Sequence, residues 1–258
     1  MRLVDAHVHL WDLEQHPLSW FREDMGLPSR ATAADLAAVA NADAAVAVQA
    51  ADTPIEAHWL LAQAAASTAP MRVTLQYVPG SDSGRLPVAG LRAAVPQFAA
   101  DLSDVPGLEA LGTSLTAAGR VLEFLVRPQQ LPGVAAFADR HPDLTIVVCH
   151  LGLGAEEPAS PWRTGLAELG RRPHVRAKLS GMVGSRSDAQ LQDIADAALD
   201  ALGPGRLMFG SDWPMSARRH THAEVIAATE RMLSGLSHDE RGAVWHGTAD
   251  RTYALGAS

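Results

Sequence analysis

Leu144-Thr145-Ile146-Val147-Val148-Cys149-His150 is a β-branched, apolar run with no polar alternation. A run of that kind reads as a strand covered on both faces, as in a parallel sheet flanked by helices. The chain on either side keeps the same rhythm. A helical stretch at 131–140 precedes it. Gly152, Gly154 and Pro158 mark the loop that follows, ahead of a helix at 161–171. Further on come a strand at Val175–Ser180, a helix at 188–202 and a strand at Arg206–Gly210, which stops at Ser211-Asp212-Trp213-Pro214. Helices at about 222–234 and 238–246 close the chain. Towards the N-terminus the strands are Val121–Val126, Val88–Arg92, Arg72–Val78, Ala44–Gln49 and Arg2–Leu10. Between them lie a helix at 32–41, one begun by Thr53-Pro54, and one or two within 93–118. Thr32 and Asp35 have capping-box spacing, and Thr53-Pro54 offers an N-cap with proline in the first turn.

Eight short strands alternating with helices, without hairpin signals or an internal repeat, predict an α/β fold: a single (β/α)8 TIM barrel over residues 1–258. An open doubly wound sheet is the alternative, but no Gly-x-Gly-x-x-Gly turn follows the first strand. The excursion Trp11–Arg30 holds Trp11, Trp20 and Phe21, which either wall a pocket or pack over one barrel end.

A formal net charge of −8 points away from nucleic acid and anionic membranes. The lone Cys149 leaves no internal disulfide and favours a reducing compartment. A strand beginning at Arg2 leaves no room for a signal peptide, and no apolar run reaches about 18 residues. The expected setting is cytoplasmic, with a small-molecule substrate, and a homo-oligomer is compatible with the sequence. Cys149 is expected to face the helix layer, away from His150.

In such barrels the chemistry gathers where strands run into βα loops. Strand alternation places Asp5, His7 and His9 on one face. Later strand ends supply Gln49, Arg92, Arg127, His150, Lys178, Ser180 and Asp212. His7, His9, His150 and Asp212 are nitrogen and oxygen donors suited to one divalent ion, zinc or manganese; no organic cofactor is expected. Asp212 is the candidate base for an attacking water, and His150 either a ligand or a hydrogen-bonding partner of the carbonyl oxygen. Arg92, Arg127, Lys178, Gln49 and Trp11 are the candidate substrate-binding residues. Plainer readings stand beside these: His150 bonded to backbone, Asp212 capping a turn, Lys178 and Arg127 in structural ion pairs. Arg218-Arg219-His220-Thr221-His222 follows Asp212 closely and either rims the pocket or, the preferred reading, is a solvated loop and helix start.

Asp5-Ala6-His7-Val8-His9-Leu10-Trp11, Phe124-Leu125-Val126-Arg127-Pro128-Gln129-Gln130-Leu131-Pro132, His150-Leu151-Gly152, Lys178-Leu179-Ser180-Gly181 and Leu207-Met208-Phe209-Gly210-Ser211-Asp212-Trp213-Pro214 together resemble the amidohydrolase 2 family. Within it the sugar-acid lactonase branch is the nearest likeness, with its L-fuconolactonase- and L-rhamnonolactonase-like enzymes. The resemblance implies an amidohydrolase-type barrel that opens a lactone, with Asp212 activating water and His7, His9 and His150 at metal-site or catalytic positions. Departures are Ala93 after Gly90-Leu91-Arg92 where the branch often has histidine, Cys149 where it often has aspartate, and a shortened 79–118 segment. Only His150 lies on the late strands, which implies a mononuclear site or none. Two other readings remain: a metal-dependent decarboxylase of an aromatic or dienoic acid, and a non-catalytic ligand-binding barrel.

Overall fold

Each apolar run becomes a barrel strand, and each helix that follows it covers the strand's outer face. The computed structural model describes residues 2–81, 83–184 and 186–256. Its strands are β1 (Val4–Val8), β2 (Ala44–Val48), β3 (Met71–Gln76), β4 (Gly90–Ala94), β5 (Val121–Leu125), β6 (Ile146–Val148), β7 (Val175–Leu179) and β8 (Leu207–Phe209). They pair in parallel and in sequence order, forming a (β/α)8 TIM barrel. The helices are α1 (Ala33–Val39), α2 (Pro54–Ala66), α3 (Leu108–Ala117), α4 (Leu131–Arg140), α5 (Ser160–Gly170), α6 (Asp188–Leu202), α7 (His222–Met232), α8 (His238–Gly242) and α9 (Thr248–Tyr253). Thr32 and Asp35 form a full reciprocal capping box on α1, and the Thr53 side chain caps α2 ahead of Pro54.

Three expectations need correcting. The alternation of strand and helix lapses after β3, where only a short 3-10 turn, Ser83–Arg85, precedes β4. The last helix does not stop at 246: a wide π-helical turn, Ala243–Gly247, carries it into α9. Cys149 faces the barrel interior, where its thiol donates to Glu123. Its parity is that of Val147, which lies in the inner core, and the outward turn of the backbone begins only at His150.

Two apolar layers form the core. Val4, Ala6, Val46, Val121, Val147 and Met208 fill the inside, joined by Tyr253 and Leu255 from the chain's end. Leu75, Phe124 and Val148 meet Leu60, Phe137, Leu166 and Ile194 in the layer between strands and helices. The excursion after β1 is packed rather than loose. Trp11–Asp12 pairs antiparallel with Arg30–Ala31, and Leu18 and Leu27 join the outer core.

The seam between β8 and β1 has no regular ladder. It closes just beyond the end of β8, where the Asp212 amide donates to the His7 carbonyl (2.9 Å) and the His9 amide to the Trp213 carbonyl (2.7 Å). This closure needs a close backbone approach at Gly210. A Cβ there would lie 2.7 Å from His7 Cβ and 3.0 Å from Ser180 Cβ. We expect Gly210→Ala to lose ~1–3 kcal/mol of stability through this overlap. Urea denaturation checks it, and an unchanged midpoint would show that the seam yields freely.

Candidate metal and catalytic site

A bulge in β1 aims the two histidines. Asp5 pairs with Ala45 and Val8 with Ala47, so three steps on β1 span two on β2. Strict alternation therefore fails. Asp5 points out to the helix layer, where its carboxylate meets His222 Nε2 (3.1 Å) at the start of α7 and accepts from the Ser211 amide (2.8 Å). His7 and His9 both turn inward, with Nε2 atoms 3.2 Å apart. Asp212 Oδ1 lies 3.8 Å from His7 Nε2 and 3.6 Å from His9 Nε2. Asp212 holds this place with φ at +58°, a region a non-glycine residue occupies at some cost.

The donor set fits one divalent cation. Ligands about 2.1 Å from a shared tetrahedral ion stand roughly 3.4 Å from one another, close to the three separations here. His9 Nδ1 donates to the Val48 carbonyl (2.7 Å), which leaves Nε2 as a bare lone pair. Burial, then the charges of Lys178 for His7 and Arg92 for His9, push both imidazoles well below the usual histidine range, so both are neutral at pH 7. His7 Nδ1 is buried with no hydrogen-bond partner among the described residues. Two neutral imidazole nitrogens facing each other across 3.2 Å are the arrangement a cation would stabilise.

His150 stands apart from this triangle. Its backbone is left-handed (φ 52°), its Nδ1 bonds Ser180 Oγ at 2.8 Å, and its ring tilts against that of His7 with centroids 4.5 Å apart. Burial, aided by Arg92 and Lys178, pushes its pKa down to about 4. Gly181 makes room for it: a Cβ there would sit 2.5 Å from His150 Nδ1.

Of the predicted substrate-binding residues, Arg92 is placed best. It donates to the Gln49 carbonyl (2.6 Å) and Gln76 Oε1 (3.2 Å) and lines a cavity of about 450 Å³ beyond the ends of β2–β5. The other four lie elsewhere. The Gln49 side chain is spent on Thr53, Glu56 and the Gln76 amide. Trp11 is fully buried, its indole donating to the Pro28 carbonyl; its edge-on neighbour Trp20 lines the cavity instead. Arg127 is exposed beyond β5 and lines no cavity described for these strand ends. Lys178 is 0% exposed and donates to Glu123 Oε2 at 2.6 Å.

Glu123 escaped the sequence reading. Burial alone would raise its pKa, but the Lys178 ammonium outweighs that and holds it down. Tyr253, Thr74 and Cys149 also donate to it. Its signal was a lone carboxylate in Val-Leu-Glu-Phe-Leu, facing a lone lysine in Val-Arg-Ala-Lys-Leu. Arg218 and Arg219 are exposed and also line a second cavity of about 280 Å³ beside Asp212, with Arg186.

With this site in view, comparison with known proteins is direct. The family model described as amidohydrolase matches residues 4–255. The chain belongs to the amidohydrolase family. It is 34% identical to an L-fucono-1,5-lactonase of Burkholderia multivorans, over 98% of this chain and 96% of the relative. A crystal structure of an amidohydrolase from Burkholderia multivorans with bound zinc superposes with a TM-score of 0.83 and 32% identity, covering 99% of this chain and all of the other. An amidohydrolase 2 from Bifidobacterium longum subsp. infantis gives a TM-score of 0.78 at 25% identity, again over 99% of this chain and all of the other. No described helix is long and apolar enough to cross a membrane.

Burial pushes the Asp212 carboxyl up to about 7, Asp5 adding to the rise while Arg92 and Lys178 oppose it. Without a cation the native state then keeps a proton that the unfolded chain sheds near pH 4. The contribution of Asp212 to stability therefore falls as pH rises from about 4 through 7. In chelator-treated protein, Asp212→Asn should gain on the wild type by on the order of 2 kcal/mol between pH 5 and pH 8. Urea titrations at both values test this, and a difference that shrinks with pH would contradict it.

Proposed function

We propose that this amidohydrolase opens the lactone ring of a sugar acid or related small carboxylate. The observation that carries the reading is the triangle of His7, His9 and Asp212 at the strand C-termini, on a chain similar along its length to an L-fucono-1,5-lactonase. A divalent ion held by His7 Nε2, His9 Nε2 and Asp212 Oδ1 would supply Lewis acidity towards the lactone carbonyl and its attacking water.

The chain's own residues do the rest. Asp212 turns Oδ1 to the imidazoles, which leaves its other oxygen to take the water's proton. Hydroxide then adds to the acyl carbon, the acyl–oxygen bond of the ring breaks, and the same carboxyl returns the proton to the departing ring oxygen. His150, fixed through Nδ1 by the Ser180 hydroxyl, presents Nε2–H to the carbonyl oxygen; being neutral, it donates without adding charge. Arg92 spends two of its five N–H groups on Gln49 and Gln76 and offers the remainder to substrate hydroxyls or carboxylate. Trp20, Tyr77 and Phe98 wall the same cavity, apolar faces suited to a sugar ring. In this reading residues 1–258 act as one catalytic domain, in the reducing compartment that a lone buried thiol favours.

A screen of sugar-acid lactones, followed by proton release, tests the proposal. We expect turnover, with kcat lowered ~10³-fold in Asp212→Asn while the circular dichroism spectrum is unchanged. Dialysis against a chelator should lower turnover, and added zinc or manganese should restore it. An active Asn variant would remove Asp212 as base. Carbon dioxide release from an aromatic or dienoic acid, with every lactone left intact, would make the enzyme a decarboxylase.

A further inference from the structure

The two cavities beside the triangle differ in kind. The one beyond β2–β5 has aromatic walls and a single cation, Arg92. The other opens beyond β6–β8. Its walls include Met182, Val183 and Met215, Asp212 lies in its lining, and Arg186, Arg218 and Arg219 surround it. Three guanidinium groups around about 280 Å³ are conspicuous in a chain whose formal net charge is −8.

Structural ion pairing does not account for them. Among the described residues none of the three lies within 4 Å of a carboxylate, whereas Arg140, Arg163, Arg172 and Arg231 all do. Two are fixed by backbone carbonyls instead. Arg186 Nη2 donates to Gly154 (3.0 Å) and Glu156 (2.6 Å), and Arg218 Nε donates to Met25 (2.7 Å). Such anchoring orients a guanidinium without neutralising it. Arg186 is half-buried, and burial lowers its pKa even with Glu157 drawing it up. Cations gathered at one cavity, two of them held in place and none neutralised by a carboxylate, suit an anionic ligand group; Arg186 is half-buried, while Arg218 and Arg219 reach in from the exposed rim.

We propose that this arginine cavity is a carboxylate subsite, and that the substrate is therefore a lactone carrying a second, free carboxylate: the ring ester of a dicarboxylic sugar acid. The inference rests on the lactonase reading and narrows it. The lactone carbonyl meets His7, His9 and Asp212, the ring lies towards Trp20 and Arg92, and the free carboxylate enters among Arg186, Arg218 and Arg219. Hydrolysis adds one water across the acyl–oxygen bond, leaving a linear dicarboxylate, a hydroxyl and one released proton. The class of reaction that supplies such a lactone is a two-electron oxidation of a uronic acid at its anomeric carbon, the hydride going to a nicotinamide-type acceptor and the hydroxyl proton to solvent.

The zinc-loaded enzyme should be assayed on D-glucaro-1,4-lactone and on D-glucono-1,4-lactone, which differ in the free carboxylate. We expect kcat/KM to favour the charged lactone about tenfold or more. The exposed Arg219→Gln, and the double variant Arg218→Gln/Arg219→Gln, should cut that ratio by about tenfold. Calorimetric binding of linear D-glucarate against D-gluconate supplies a readout that needs no turnover, and glucarate should bind more tightly in an Arg219-dependent way. If neither lactone is opened but glucarate still shows that preference, the subsite stands and the lactonase reading falls. Equal kcat/KM for the two lactones with a ratio unmoved in the variants, or glucarate binding no tighter than gluconate, overturns the subsite.

Discussion

Closure of the barrel at the β8–β1 seam is the constraint on which the site depends. The two backbone bonds that join His7 to Asp212 and His9 to Trp213 are the link that fixes Asp212 opposite the histidines. Several residues serve that link. Gly210 removes the Cβ that would hold the strands apart, and the Asp5 carboxylate satisfies the Ser211 amide at the turn. The bulge that sends Asp5 outwards to do this is the same irregularity that turns both His7 and His9 inwards. One extra residue in β1 thus supplies both the clasp and the two imidazoles of the proposed cation site.

Beneath the site, charge is arranged to keep the imidazoles neutral. Lys178, paired with Glu123, and Arg92 both add to the effect of burial on His7, His9 and His150. The Lys178–Glu123 pair is costly as a source of stability, since desolvating two ions offsets much of their attraction. Its position is easier to understand electrostatically. A carboxylate there without the lysine would draw protons or a second cation towards His7, Glu123 and Cys149, whose donor atoms lie within 4.8 Å of one another. The ammonium meets that demand, which favours the upper triangle as the proposed place for one divalent ion.

The fold was legible because burial on both faces writes itself into composition: the run at 144–150 contains strand Ile146–Val148, and Thr53-Pro54 opens a helix as its residue types predict. His7, His9 and Asp212 were legible as strand-end residues, though strict alternation could not show which would turn inwards. A bulge changes the parity of a strand without any marker in its sequence. For Lys178 both a substrate contact and a structural ion pair stayed open, because strand parity shows that a residue faces inwards but not at what depth, and depth separates a buried ion pair from a residue at the mouth. Gln49 and Trp11 were likewise placed on the right elements, but their polar atoms are consumed by neighbours distant enough in sequence to be invisible, such as Gln76 and Pro28. Arg218 and Arg219 are exposed and at the same time rim a cavity. Their loop looks solvated in sequence, and only the fold of the β7 and β8 loops brings Arg186 to the same cavity.

The central claim is that barrel closure assembles a single three-donor cation site. Anomalous diffraction from crystals of the protein grown with zinc tests it most directly. The account predicts one peak, bound by His7 Nε2, His9 Nε2 and Asp212. A peak on Glu123 and Cys149, two peaks in the barrel mouth, or none at saturating zinc would contradict it.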